Sequence, residues 1–352
     1  MKTISLKKIL LVFLLLLTAL KILPGQNDAP GFSADSERKL RFMFYNVENA
    51  FDTINNPDKE DNEFLPDTIR GWDSYKYYRK INKIYKVTIA AGGWQPPDLI
   101  GICEIENGNV IQDLISKTPL SKYPYEFAHK NSPDERGIDV AILYNTEKVE
   151  MLSADFIKIE LPPEYRSTRD ILYAKVTDYK EDTLHIFVNH WPSRWGGAAA
   201  TEQKRIIAAQ TLRKTTDSIL KTNSDSKIII TGDFNDEPEN ASLTEHLKAL
   251  SSYNEIQSNN LYNLSANWQK RFRGTHKYQE HWSVLDQFIV SGALLLDKDN
   301  LHTTPEDACI FEFSPLLEKD KKHMGVKPYR TFYGYKYHGG YSDHLPILLD
   351  LH

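Results

Sequence analysis

The chain has 352 residues, of which 41% are apolar and 26% are charged, a composition typical of a globular protein with one large domain or two small ones. Its formal net charge of −5 excludes binding of a phosphate polymer through bulk positive charge, so any polyanionic substrate must be held locally. The two cysteines, Cys103 and Cys309, are too few for a disulfide framework, and the apolar run around Cys103 favours a buried thiol.

The N-terminal segment has the pattern of a secretory signal peptide. Lys7 and Lys8 precede a mostly apolar run at 9–20, which Pro24 and Gly25 end. The run is short for a membrane span, which needs about 20 residues. We therefore predict export to the periplasm or the cell exterior, with an uncleaved anchor as the alternative.

These features predict three regions in the chain. They are a signal peptide at 1–25, a polar linker at 26–37 and a single domain at 38–352. Removal of the four lysines in the signal peptide would lower the net charge to −9.

Hydrophobic periodicity predicts a succession of strands and helices in the domain. The predicted strands are 40–45, 98–103, 137–144, 149–159, 171–179, 183–189, 228–231, 284–290 and 346–351. The predicted helices are 75–91, 110–116, 201–220 and 242–250, and the remaining long stretches, 252–283 and 292–335, are predicted to be irregular. Because most neighbouring strands lack a helix between them, the pattern favours mixed sheets layered with helices.

The stretch at 227–238 is the most informative part of the chain. Its buried strand is followed by Gly232, which is predicted to allow a sharp turn, and then by Asp233 and Asn235. Because they are two residues apart, these side chains would point to the same face of an extended segment. An ordinary Asp/Asn turn is the alternative interpretation of this stretch taken alone.

Other predicted strands also end in a polar residue that can bind a metal ion or a phosphate. These residues are Asn46, Glu104, His190, Asp343 and His344, and Asp286 lies just inside its strand. Together with Asp233 and Asn235, they make five strand ends with the same chemistry, which indicates that the five ends lie at one shared edge. Carboxylates and carboxamides suit Mg²⁺, Mn²⁺ or Ca²⁺, and histidines suit proton transfer. The sequence has no zinc motif of the His-Glu-x-x-His or paired-Cys type.

Six segments resemble, in order, the motifs of the endonuclease/exonuclease/phosphatase superfamily, which includes DNase I-like nucleases, neutral sphingomyelinases and inositol-polyphosphate 5-phosphatases. They are 45–49, 99–104, 188–190, 231–235, 285–286 and 342–344. The Gly-Asp-Phe-Asn and Ser-Asp-His segments are specific when found together, and 45–52 is similar to the exported bacterial branch. The resemblance implies an α/β fold, a four-layer α/β/β/α sandwich of two mixed β-sheets face to face with helices outside.

The resemblance also implies a divalent-metal site. Glu104 would be the main metal ligand, with Asn46 beside it and Asp343 helping to hold the ion. The implied cofactor is Mg²⁺, with Mn²⁺ or Ca²⁺ as alternatives.

The remaining motif residues would carry the chemistry. Asp233 and Asn235 would orient the attacking water and the phosphate, and His190 would stabilise charge on the phosphoryl oxygens. His344 would be the general acid or base, oriented by Asp286. We expect these two side chains to form a hydrogen-bonded pair if their strands share a sheet.

Four further residues have less defined roles. Arg169 resembles an arginine that contacts the substrate phosphate, with a surface salt bridge as the alternative. Asp139 is expected to support His190, with an outward-facing polar position as the alternative. Glu48 and Glu106 are extra acids near the ligands, and we expect them to be solvated loop carboxylates, with a place in the metal shell as the alternative.

The implied function is that of an exported, metal-dependent endonuclease that hydrolyses nucleic-acid phosphodiester bonds. The alternatives are a lipid or small-molecule phosphodiesterase and an inactive binding module, although none of the expected acids or histidines is missing. The sequence Asp-Glu-Pro at 236–238 argues against the inositol phosphatases. Trp191 and Trp195 fit membrane docking, base stacking or a place in the core. We expect a monomer with a nucleic-acid substrate and no stable protein partner.

Overall fold

The structure of the protein is a computed structural model, and it describes residues 38–93, 95–180 and 182–352. The longer strands are β1 (Leu40–Ala50), β2 (Leu99–Ile105), β3 (Tyr125–His129), β4 (Asp139–Asn145), β5 (Val149–Ile157), β6 (Ile171–Asp178), β7 (Thr183–His190), β8 (Lys227–Asp233), β13 (Asp286–Ser291) and β19 (Ile347–Leu351). The short strands are β9 (Ala249–Leu250), β10 (Leu261–Asn263), β11 (His276–Tyr278), β12 (His281–Ser283), β14 (Ala308–Ile310), β15 (Leu317–Lys319), β16 (Val326–Pro328), β17 (Phe332–Tyr333) and β18 (Lys336–Tyr337). The helices are α1 (Ser74–Gly92), α2 (Gly108–Ser116), α3 (Ala198–Thr222), α4 (Trp268–Arg271) and α5 (Gly292–Leu296).

Two large mixed sheets form the centre of the fold. The first has six strands in the order β14-β19-β1-β2-β4-β3, and the second has seven in the order β5-β6-β7-β8-β13-β10-β9. Three pairs are parallel, β1 with β2, β7 with β8 and β9 with β10, and the other pairs in these two sheets are antiparallel. With the helices, these sheets form the α/β sandwich that the sequence predicts, so the predicted fold class is confirmed.

The core lies on both faces of the second sheet. One large apolar cluster joins residues of the two sheets, where Phe42 of β1 and Phe288 of β13 pack edge to face with ring centroids 5.6 Å apart. A second cluster lies between the outer face of the second sheet and α3, where Ile228 and Ile230 accompany Leu212. Alternate residues of β8 thus pack to opposite sides, as strand geometry requires.

Helix α1 illustrates how local sequence sets the element bounds. The Asp73 side chain accepts a hydrogen bond from the Lys76 backbone N–H, which caps the first turn. Ile81, Ile84 and Val87 recur at helical spacing and are buried, and Gly93 ends the helix with a φ of 83°.

Three parts of the predicted secondary structure are wrong. Residues 242–250 form one short helical turn at Ser242–His246 followed by strand β9 instead of a continuous helix. Strand β3 was not predicted, because only Tyr125 of its five residues is buried and the sequence lacks a clear apolar alternation. The stretch 252–283, predicted to be irregular, contains β10 and the β11–β12 hairpin.

The predicted signal peptide at 1–25 and the linker at 26–37 lie outside the described residues. Within the described ranges, none of the helices combines the length and the apolar character that crossing a membrane requires.

Candidate active site

The polar strand ends predicted from the sequence meet around Asp233, the last residue of β8. In the parallel pairing of β7 with β8, His190 lies beside Asp233, and in the antiparallel pairing of β8 with β13, Asp286 does so from the other side. The Asn46 side chain of β1 reaches the same carboxylate from the first sheet, with its Nδ2 3.0 Å from Oδ2. The site is therefore built where edges of the two sheets face each other.

Gly232 enables the close approach of β7 to β8. A Cβ atom at this position would lie 2.3 Å from the Asn189 carbonyl oxygen, which no side chain tolerates. The residue is part of β8 and pairs with Asn189, so the predicted sharp turn at Gly232 is wrong. Its lack of a side chain instead lets the two active-site strands lie side by side.

Backbone strain concentrates at this edge. Among the described residues, six that are not glycine have a positive φ, and four of them belong to the site: Glu48, Asn49, Glu104 and Asn235. Such conformations persist only where the surroundings hold them, and they are common at functional sites. Asn235 is therefore not an extension of the strand, and its Nδ2 donates to the Trp191 carbonyl while its backbone N–H donates to Asp233.

Asp233 is almost fully buried, with 2% of its surface exposed. Burial raises the pKa of its carboxyl group to about 7; Asp286 adds to the rise, while His344 opposes it. Hydrogen bonds from the Asn46 side chain and the Asn235 backbone hold the carboxylate in place. Asp233 is thus a fixed group that can exchange a proton near neutral pH.

Glu104 faces the cleft from the end of β2. A strand irregularity between Cys103 and Ile105 and a φ of 63° turn its side chain outward, where 14% of it is exposed. One carboxylate oxygen accepts from the Asn49 backbone N–H at 2.9 Å. The Asn46 atom that faces this carboxylate is the amide nitrogen, a donor, so direct metal ligation by Asn46 stays a prediction.

His344 and Asp286 form the predicted pair. The Nδ1 atom of His344 lies 2.7 Å from the Asp286 carboxylate, and Nε2 lies 3.8 Å from Asp233. Burial alone would lower the pKa of His344, but the two carboxylates outweigh it and raise that pKa well above its ordinary value. The condition that the two strands share a sheet is wrong, because β13 and β19 belong to different sheets.

His190 lies between the two acids that face the cleft. Its Nε2 is 3.7 Å from Asp233 and 3.9 Å from Glu104. Burial and the neighbouring Arg169 hold the pKa of His190 well below its ordinary value, so the ring is neutral at pH 7. Its Nδ1 is buried without a hydrogen-bond partner in the described residues.

The expected support of His190 by Asp139 is wrong. The Asp139 carboxylate instead contacts Nε2 of His129 at 3.1 Å and accepts from the Ser132 backbone N–H at 2.9 Å. His129 belongs to β3 and Asp139 to β4, which are neighbouring strands of the first sheet, and the register of these two strands brings the side chains together.

Arg169 is buried beneath the cleft, so the alternative of a surface salt bridge is excluded. Its guanidinium group donates to Asp134 at 3.1 Å and to the backbone carbonyls of His190 and Trp191. It also lines the cleft, and its role toward the substrate phosphate stays a prediction.

Glu48 and Glu106 are buried, so the expectation that they are solvated loop carboxylates is wrong. Glu48 accepts from Arg330 at 3.3 Å and from the Thr331 backbone N–H at 2.6 Å.

Arg330 also donates to Asp343 at 2.8 Å. Burial alone would raise the pKa of Asp343, but Arg330 and His344 lower it to about 2. Asp343 is therefore ionised and partly compensated by an arginine.

Sequence reasoning missed Arg330 and His276. Both line the cleft, and the His276 ring lies over the His344 ring with centroids 4.8 Å apart. Burial and His344 lower the pKa of His276 to about 3, so a neutral ring covers the charged one. Both residues belong to stretches without clear periodicity, and a histidine or arginine there carries no sequence signal.

The acids of the site fit a divalent cation. Glu104 has no Lys or Arg partner within 4.0 Å in the described ranges, and its polar contacts are the Asn49 backbone N–H, the Asn46 amide and the neutral His190. Asp233, Asp286 and His344 offer ligand atoms that all lie within 4.8 Å of one another. A hard oxygen donor such as the Glu104 carboxylate, which lacks a Lys or Arg partner, is the kind of ligand that Mg²⁺, Mn²⁺ and Ca²⁺ prefer.

These residues line a cleft of about 1490 Å³. Glu104, His190, Asp233 and His344 lie at its base, and exposed loops form its rim. Trp191 is buried and packs edge to face on Phe234, so it belongs to the core. Trp195 lines the cleft, with 90% of its surface exposed.

Comparison with known proteins identifies the family and the fold of the chain. A model of the Endonuclease/Exonuclease/phosphatase family matches residues 41–352. No curated protein matches the chain.

Among solved structures, the chain resembles TDP2 of D. rerio complexed with a single-strand DNA product, at 15% identity and a TM-score of 0.54 over 89% of this chain and 98% of that one. It also resembles the human Nocturnin catalytic domain with bound sulfate, at 15% identity and a TM-score of 0.53 over 89% and 94% of the two chains. An endonuclease/exonuclease/phosphatase family protein from Bacteroides thetaiotaomicron matches at 14% identity and a TM-score of 0.53 over 89% and 97%. At these identities the likeness concerns the fold.

Proposed function

Because the chain belongs to the endonuclease/exonuclease/phosphatase family, we propose that it is a divalent-metal-dependent phosphodiesterase that cleaves nucleic acids. Family membership supports a phosphoester hydrolase, and enzymes of this family are generally dependent on a divalent metal. The observation that carries the proposal is the His344–Asp286 pair, which lies beside Asp233 in a cleft that Glu104 also lines. The solved D. rerio TDP2 with a DNA product supports nucleic acid as the substrate.

Metal binding is proposed for Glu104, with Asp343 and the Asn46 carbonyl as further ligands. A bound divalent ion would polarise the phosphoryl group and offset its negative charge. Asn46 also donates to the carboxylates of Glu104 and Asp233, so it keeps both side chains oriented toward the cleft.

The proposed chemistry is attack of water on phosphorus, with rupture of the bond to the leaving oxygen. Asp233, whose pKa is raised to about 7, takes the proton of the attacking water. His344, which is protonated at rest, gives the proton on Nε2 to the leaving oxygen. The proton then passes from Asp233 to Nε2 of His344, which lies 3.8 Å away. This transfer returns Asp233 to its carboxylate form and His344 to its protonated form. Asp286 holds the ring in the tautomer that this exchange needs.

A substrate panel tests the proposal. Purified protein is incubated with plasmid DNA, RNA, sphingomyelin, inositol phosphates and a bis-aryl phosphodiester, each with Mg²⁺, Mn²⁺, Ca²⁺ or EDTA. The proposal expects turnover of DNA or RNA that EDTA abolishes. Turnover of sphingomyelin alone would favour a lipid phosphodiesterase, and the absence of turnover with every substrate would contradict an enzymatic role.

We also propose that the chain is exported, on the basis of the charged and apolar pattern at 1–25. N-terminal sequencing of the protein from its native host should give Gln26 or a neighbouring residue as the first residue. Recovery of intact Met1 from the cytoplasm would contradict export.

A further inference from the structure

Trp195 is an exposed aromatic side chain at the rim of the catalytic cleft. It lies five positions after His190, in the loop between β7 and α3, and 90% of its surface is exposed. Trp191, in the same loop, is fully buried. Exposure of a whole indole to water is unfavourable, so such a position is informative when it borders a reactive site.

The loop that carries Trp195 is fixed at both sides. The Arg194 guanidinium donates to the Asn235 carbonyl at 2.6 Å and to the Asn240 side chain at 3.0 Å. On the other side, the Trp191 carbonyl accepts from Arg169 and from Asn235. Because Asn235 also contacts Asp233, the loop is joined directly to the catalytic centre.

Two cationic side chains without a carboxylate partner line the same cleft as this aromatic side chain. They are Arg136 and Lys204, and neither side-chain cation lies within 4.0 Å of a carboxylate oxygen in the part of the chain that the structure describes. Arg136 donates to the neutral Asn49 side chain, and Lys204 lies over the Tyr165 ring. Both cations are therefore available to a phosphate group, unlike Arg166, which pairs with Glu60.

A second exposed aromatic residue borders the cleft from another element. Tyr278, at the end of β11, is 70% exposed and lines the cleft together with His281 of β12. A cleft that holds both exposed aromatic faces and cations without a carboxylate partner suits a chain of bases and phosphates, because bases stack on aromatic rings and phosphates pair with cations.

We propose that Trp195 stacks on an unpaired nucleobase next to the scissile phosphate, and that this contact makes the enzyme select single-stranded nucleic acid. The inference rests on the proposed phosphodiesterase function and specifies its substrate. A paired base inside a duplex has both faces covered by its neighbours, so only an unpaired or displaced base can reach the indole face.

Binding measurements test the inference without turnover. In a His344→Ala background with Mg²⁺, fluorescence polarisation gives the affinity for a labelled single strand, for its duplex and for an abasic oligomer of equal length and charge. The same set is measured after Trp195→Ala, Trp195→Phe and Tyr179→Ala. Tyr179 is the matched control, because it is 68% exposed and does not line the cleft.

Trp195→Ala is expected to weaken single-strand binding about tenfold, because it removes the stacking of one base. It should also reduce the preference of the protein for the single strand over the abasic oligomer. Trp195→Phe should restore a large part of the loss, and Tyr179→Ala should behave as the parent. An equal loss for the abasic oligomer, or no loss for the single strand, would overturn the inference while leaving hydrolysis by the wild type intact. Weaker binding of Trp195→Ala to anionic phospholipid vesicles, with unchanged oligonucleotide binding, would overturn it in favour of a lipid surface.

Discussion

The Nδ1 atom of His344 lies 2.7 Å from the carboxylate of Asp286, although 58 residues separate them in the chain. Asp286 begins β13 of the seven-stranded sheet, and His344 precedes β19 of the six-stranded sheet. The pair therefore links the two sheets at the edge where the cleft opens. Its geometry depends on the packing of the sheets against each other.

The first prediction concerns this pair. His344→Ala should lower kcat about 10²–10⁴-fold, because it removes a general acid or base. Asp286→Asn should lose a good part of the same factor, and the double variant should lose much less than the product of the two, since the side chains act as a unit. Steady-state kinetics on the preferred phosphodiester check this, with melting temperature as the control for folding. Fully multiplicative effects would refute a shared role.

The second prediction concerns the buried Glu48 beside Arg330. Arg330→Gln should destabilise the protein by about 1–3 kcal/mol, because it leaves Glu48 without its arginine partner. The double variant with Glu48→Gln should recover part of that loss. Urea unfolding measures both, and Arg166→Gln is the control, because its exposed ion pairs should contribute about 0–1 kcal/mol. Equal losses for Arg330→Gln and Arg166→Gln would contradict the expectation that the buried Glu48 depends on Arg330.

The third prediction concerns the pH dependence of stability. Burial raises the pKa of Glu106 to about 8, far above its value in the unfolded chain. Between about pH 4.5 and 8 the folded state therefore binds the proton that the unfolded state has lost, so stability should fall as pH rises through this window.

Glu106→Gln should remove this slope, and its advantage over the wild type should grow to on the order of 2–4 kcal/mol by pH 8. The comparison is made by chemical unfolding at several pH values. Glu150→Gln, an exposed substitution, is the control and should follow the wild type. A Glu106→Gln curve parallel to that of the wild type would show that Glu106 does not hold its proton.

Sequence patterns predicted the central strands well, because buried strands such as β8 carry continuous apolar runs. They also predicted the residues that meet around Asp233, since these follow directly on such strands. Contacts between distant irregular stretches could not be predicted. Arg330 reaches Glu48 from 282 positions away, and His276 covers His344 from a short hairpin without apolar alternation. The partner of Asp139 depends on the register of an edge strand, which the sequence specifies weakly.

The central claim is that acids at the sheet edge bind a divalent cation that phosphodiester cleavage requires. The most direct test measures cleavage of a labelled single-stranded oligonucleotide by wild type, Glu104→Gln and Glu150→Gln across a Mg²⁺ titration and in excess EDTA. Wild type and Glu150→Gln should require Mg²⁺, and Glu104→Gln should need much more of it or stay inactive while keeping its melting temperature. Full cleavage by the wild type in excess EDTA would contradict the claim.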